Sequence, residues 1–311
     1  MEKKDSIKEE DAQESGFNRR KFISTSTAGL AALGALGAGI GSASASTAVT
    51  PKQKTNSTKG GKRVIILNDT STHIGPTLAR NFALKNHNIV LGTPAKGLAD
   101  EVRKLGAKVA VVDKLPDLSK PEAIKMLVEA AMDEFGGYDA AYLRSGTHGT
   151  GDILNTTPEV LKEVIDENFV AVVYALQAVL PHLMDSGSGQ VLMITSASGQ
   201  RPAIAGTAYS ATRAGANMLV RCAAATAAPK GVSVNAFGTY FLNYPGFLES
   251  IGADKNPAMV DEVNKVVPLG RLGEVEEAAH FAMSLLDGIN TYQTGNFFCH
   301  SGGFNNEGWM A

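Results

Sequence analysis

Cysteine is almost missing from this chain. Cys222 and Cys299 are the whole supply in 311 residues, which excludes a disulfide framework. Cys222 falls in an apolar helical stretch and reads as a buried free thiol. Net charge is nearly missing too. Twenty-nine basic side chains against 31 acidic ones leave a formal charge of −2, which gives no support to a nucleic-acid partner. Internal repeats and low-complexity tracts are absent past residue 61. The N-terminal apolar run, Ala28 to Ile40, is too short and too rich in glycine for a membrane span. What remains is a chain with 44% apolar residues, enough for one large α/β domain or two small ones.

The first 61 residues differ from the rest. Asn18-Arg-Arg-Lys-Phe-Ile-Ser24 precedes the Ala28–Ile40 run, and Ala43-Ser-Ala45 fits a small-residue cleavage site. Charge, apolar run and cleavage site come in the order of an export signal, and the adjacent arginines resemble the twin-arginine type. The alternative is a disordered tail with a chance Arg-Arg pair. The expected division is an export signal over 1–45, a flexible linker over 46–61 and one folded domain over 62–311. The expected location is the periplasm, with no membrane contact once the signal is removed.

From Arg63 onward, short apolar, β-branched runs alternate with helical stretches. Strands are expected at 63–68, 88–91, 109–112, 140–143, 191–195, 233–237 and 296–299. Helices are expected at 74–85, 98–105, 121–135, 209–221, 257–266 and 275–287, with 158–185 as one long helix or a kinked pair. Alternation of strand and helix with short links predicts a Rossmann-like, doubly wound parallel sheet with right-handed crossovers.

One stretch carries chemistry. Ser196 ends the strand that begins near Val191, where open α/β sheets place ligands. Tyr209 and Arg213 are four residues apart on the following helix, so they share a face. A cation beside a phenol favours the phenolate, which makes Tyr209 a candidate base. Taken alone, the same residues also fit a turn serine, a packed tyrosine and a surface arginine.

With this architecture, Ser196, Tyr209 and the cation four residues on resemble the short-chain dehydrogenase/reductase family. Asp117-Leu-Ser-Lys-Pro121, Asn168 and Thr294-Gly295 fall in that family's order, and the resemblance spans Arg63 to about Phe304. It implies that the serine orients a substrate oxygen and the tyrosine transfers its proton. The family's dinucleotide loop, T-G-x-x-x-G-x-G, is here Asn68-Asp69-Thr-Ser-Thr-His73-Ile-Gly75. Two of its three glycines, which let the backbone approach a pyrophosphate, are gone. Gly92 stands where an acid would bind ribose. Leu143-Arg144-Ser145-Gly146 replaces N-N-A-G, Thr239-Tyr240 replaces Pro-Gly, and Arg213 replaces lysine.

That pattern resembles an offshoot of the family, the halohydrin dehalogenases, with their Ser-x12-Tyr-x3-Arg spacing. Asn68, His73 and Gly75 correspond to the offshoot's T-x4-aromatic-x-G, with Asn68 in place of the threonine and His73 in place of an aromatic. Ser145 stands where some members have an Asp supporting the arginine. The resemblance implies catalytic Ser196, Tyr209 and Arg213, and no cofactor or metal. It implies a halide and substrate pocket at His73, Thr239, Tyr240, Phe241, Leu242 and Trp309. Substrates would be haloalcohols, or epoxides opened by small anions, and the assembly a homotetramer. Two alternatives stay open: an oxidoreductase with an atypical nucleotide site, and an inactive fold kept for binding.

Overall fold

The computed structural model describes residue 56 and residues 61–149, 151–203 and 205–306. The expected export signal and Trp309 lie outside these residues. The domain is built on a seven-stranded parallel sheet: β1 (Val64–Leu67), β2 (Asn88–Gly92), β3 (Val109–Val112), β4 (Ala140–Arg144), β5 (Gly189–Ser196), β6 (Val232–Thr239), and a last strand, Phe297–His300. Their order is β3-β2-β1-β4-β5-β6 and then Phe297–His300. β1 and β2 are buried along their whole length, as expected for strands covered on both faces.

Helices link the strands: α1 (Gly75–Leu84), α2 (Leu98–Lys104), α3 (Glu122–Phe135), α4 (Pro158–Ile165), α5 (Ala171–Ser186) and α6 (Thr207–Ala227). One apolar core, including Leu127, Val179 and Val220, packs α3, α5 and α6 on the sheet. A second, including Leu78, Phe82 and Ala282, packs α1 and the helix Val275–Ser284 on it. The expected long or kinked helix at 158–185 is α4 and α5 joined by a π turn, Asp166–Val170. Its run Pro158–Ser186 is long and apolar enough to cross a membrane by length and composition. Val172, Ala175, Leu176, Val179 and Leu183 are buried against the domain, as a core helix requires.

The structure adds elements and corrects one reading, the burial of Cys222. A short helix α7 (Pro245–Ser250) and a two-residue strand pair, Leu242–Asn243 with Gly273–Glu274, form a cap beside the sheet's carboxyl ends. Cys222 is exposed, not buried. The buried face of α6 runs through Tyr209, Arg213, Ala216, Val220 and Ala224, and Cys222 points away from it. Asn56, in the segment read as a flexible linker, is held: its Nδ2 donates to the Ser188 carbonyl at 2.8 Å, and its amide donates to Asp139.

Strand order reverses between β1 and β4. The carboxyl ends on either side of that point form the crevice where open α/β sheets bind ligands. The turns that end β1, β4, β5 and β6 meet there.

Candidate active site

Ser196 is the last residue of β5, opposite Thr239 of β6 in the sheet register. It is extended (φ −151°, ψ 150°), and its Oγ accepts the Ser198 amide at 3.1 Å. That bond orients the hydroxyl and leaves its proton free to donate. The chain then turns through Ala197–Gly199 into α6. Helix spacing puts Tyr209 and Arg213 one turn apart, and the two are 7% and 5% exposed. The Arg213 guanidinium carbon lies 5.2 Å from the centroid of the Tyr209 ring. Burial pulls Arg213 below its ordinary range, and the attraction of Tyr209 opposes that. Arg213 Nη2 donates to the Ser145 carbonyl at 2.8 Å. Ser145 thus supports the arginine through its backbone rather than through a carboxylate.

Asn168, one of the family landmarks in the sequence, braces the loop after β4. It is fully buried in the π turn, and Nδ2 donates to the Thr147 carbonyl at 2.9 Å. Gly146, at φ +106°, has Asn168 Oδ1 and Arg213 Nη2 where a Cβ would project.

His73 sits in the turn after β1 with φ +57°, a left-handed conformation that costs a non-glycine residue on the order of 1–3 kcal/mol. The ring spans the crevice. Nε2 lies 3.0 Å from Thr239 Oγ1, and the ring packs edge-on against Tyr244 at 5.1 Å. Burial, then the charges of Arg144 and His300, pushes the imidazole down to about 3. It is therefore neutral at pH 7, and Nδ1 is buried with no hydrogen-bond partner among the described residues. Next to it Asp69 forms an ion pair with Arg144 and accepts from Ser71 Oγ at 2.7 Å.

The other expected pocket residues divide into two groups. Thr239 and Tyr240 face the site: Thr239 bonds His73, and burial, then the charge of Tyr209, raises Tyr240. Phe241 and Leu242 are buried away from solvent. Phe241 (φ +54°) packs in an aromatic cluster with Tyr240, Phe247 and Phe304. Leu242 is 1% exposed, in the core that includes Leu67 and Phe237.

His148 escaped the sequence reading. Its ring lies 4.7 Å from that of Tyr209, with planes 37° apart. The only local sign was its place between Gly146 and Gly149 in the loop after β4.

The fold implies a dinucleotide, and the residues present do not fit one. The pyrophosphate turn carries the Asp69 carboxylate, already paired with Arg144, and the His73 ring bridges to Thr239. A side chain on Gly92 would run into the Asn68 carbonyl. Thr70 closes the gap between the β1 turn and the end of β2, since its amide and hydroxyl donate to the Gly92 carbonyl at 3.0 and 2.9 Å.

A family model described as enoyl-(acyl carrier protein) reductase matches residues 70–305. The chain belongs to the short-chain dehydrogenase/reductase family. It is 27% identical over 264 residues to cyclohexanol dehydrogenase of Acinetobacter sp. (strain SE19), covering 81% of this chain and 98% of that one. It is 27% identical over 251 residues to glucose 1-dehydrogenase 2 of Bacillus subtilis (strain 168), covering 78% and 94%. Levodione reductase shares the fold, with a TM-score of 0.71 at 22% identity over 78% of this chain and 97% of that one. As expected, this member of the family is a single-domain, Rossmann-like α/β protein. The halohydrin dehalogenase expectation does not follow from these relatives, whose names are those of dehydrogenases and reductases.

Proposed function

We propose that this short-chain dehydrogenase/reductase family enzyme works without a dinucleotide, as a halohydrin dehalogenase. One observation carries the reading: Ser196 at the end of β5 and the Tyr209–Arg213 pair of α6 are all buried, while His73 and Asp69 occupy the dinucleotide turn, Asp69 paired with Arg144 from the end of β4. Ser196 Oγ–H donates to the substrate hydroxyl oxygen. Tyr209, with the Arg213 guanidinium beside it, takes the hydroxyl proton as the base. The oxygen's electron pair then displaces halide from the adjacent carbon, closing an epoxide as the carbon–halogen bond breaks with its electrons on the halide. The leaving halide is read into the region of His73, Thr239 and Tyr240, and the reverse reaction opens epoxides with small anions. Export by the twin-arginine route and a homotetramer built on α5 and α6 belong to the same reading.

A second reading, an oxidoreductase with an atypical NAD(P) site, is the one that the relatives' names favour. One experiment separates the two. Purified protein is given a 1,3-dihalo-2-propanol with no added cofactor, and free halide is measured. Halide release supports the dehalogenase. No release, together with substrate-dependent oxidation or reduction of nicotinamide cofactor, replaces it with the oxidoreductase.

A further inference from the structure

The loop after β4 is pinned at four points. Asn168 Nδ2 holds the Thr147 carbonyl at 2.9 Å. Gly146 packs where a Cβ would overlap Asn168 and Arg213, and Gly149 where one would overlap Val164. Gly151 exchanges backbone bonds with the entry to α6: its amide donates to the Ala205 carbonyl at 3.0 Å, and its carbonyl accepts from the Thr207 amide at 3.2 Å. The side chain these pins present is His148, whose ring is 4.7 Å from that of Tyr209. Tyr209 is buried and His148 is exposed, so the ring pair joins a buried side chain to an exposed one.

We propose that His148 is a positioning residue for Tyr209 that also passes the phenol's proton to water. The inference rests on Tyr209 acting as the base. Each halohydrin that closes to an epoxide leaves one proton on Tyr209, and the site resets only when that proton leaves. Tyr209 O–H breaks, the imidazole's free electron pair takes the proton, and the imidazolium releases it to solvent. No electron changes hands between oxidation states. Among the described residues, the charged or titratable groups facing His148 are Tyr209 and Arg213 from α6 and Arg144 from β4. On the α4 side, Val160 and Val164 face the neighbouring Gly149. Burial, then the charges of Arg213 and Arg144, holds the imidazole below its ordinary range.

The first test needs no substrate. The His148 imidazole is titrated by NMR in histidine-labelled protein, its signal assigned by loss in His148→Phe, and the titration is repeated in Tyr209→Phe. A shifted midpoint supports coupling of the two rings, and identical midpoints overturn the proposal. The second test is kinetic. His148→Phe and His148→Gln, with folding checked by circular dichroism, are expected to lose on the order of 100-fold in kcat with KM unchanged, and free imidazole in the buffer is expected to restore the rate. Wild-type kcat without dependence on imidazole overturns the proposal. If wild-type protein releases no halide, the proposed function fails, and the NMR comparison still decides whether His148 and Tyr209 are coupled.

Discussion

His73 Nε2 meets Thr239 Oγ1 at 3.0 Å, joining the turn after β1 to the end of β6 across the crevice where the fold's dinucleotide would lie. Holding a histidine at φ +57° to make that bond costs conformational energy that glycine avoids. The first expected outcome is that equilibrium dialysis finds no saturable NAD or NADP binding up to roughly millimolar cofactor, where ordinary micromolar sites would fill. Saturation in the micromolar range restores the oxidoreductase.

The same histidine makes stability depend on pH. Its folded value of about 3 lies below the ordinary 6.5, so between those values the unfolded chain binds the extra proton. Stability is full above about pH 6.5 and is lost as pH falls toward about 3, by at most about 1.4 kcal/mol per pH unit. His87, pushed down to about 4 mainly by burial, acts with the same sign. Urea melts at a series of pH values are expected to show a shallower acid slope in His73→Phe than in wild type. Parallel slopes would remove His73 from the account.

The strands were legible because each is an unbroken apolar run between turn residues, and parallel strands buried on both faces need just that. The pairing of Tyr209 with Arg213 was legible because one helical turn separates them. The burial of Cys222 was misread because α6 is alanine-rich all round, so composition did not reveal which face turns inward. The π turn around Asn168 leaves no hydropathy signature. The Leu242–Asn243 strand and α7 are too short for any periodicity. His148 was missed because its contact with Tyr209 depends on loop packing set by Gly146, Gly149 and Asn168, residues far from Tyr209 in sequence.

Gly146 offers a test of that packing. Alanine there is strained at φ +106°, and its Cβ would strike Asn168 Oδ1 and Arg213 Nη2. Gly146→Ala is expected to destabilise the fold by about 1–3 kcal/mol. It should also cut turnover in the fraction that folds, because Arg213 must move. Thermal melts read the first effect and halide release per folded molecule the second. A variant with wild-type turnover would show that the Arg213 position is not critical.

The last prediction concerns the triad as a unit. Tyr209 serves as the base, with the Arg213 guanidinium carbon 5.2 Å from its ring centroid. Ser196 contributes only by holding the oxygen from which Tyr209 takes the proton. Tyr209→Phe is expected to lower halide release by at least about 100-fold, and Ser196→Ala to lower it severely. The double variant should be little worse than Tyr209→Phe alone, because a hydroxyl that orients the substrate oxygen is idle once the base is gone. Arg213→Lys keeps a positive charge but replaces a planar fork with a compact ammonium of different reach. It is expected to lower the rate and to move the rising limb of the pH–rate profile toward higher pH. The measurement is halide release from a vicinal haloalcohol between about pH 6 and about pH 10. Near-wild-type release by Tyr209→Phe would refute Tyr209 as the base, and the proposed function would fall with it.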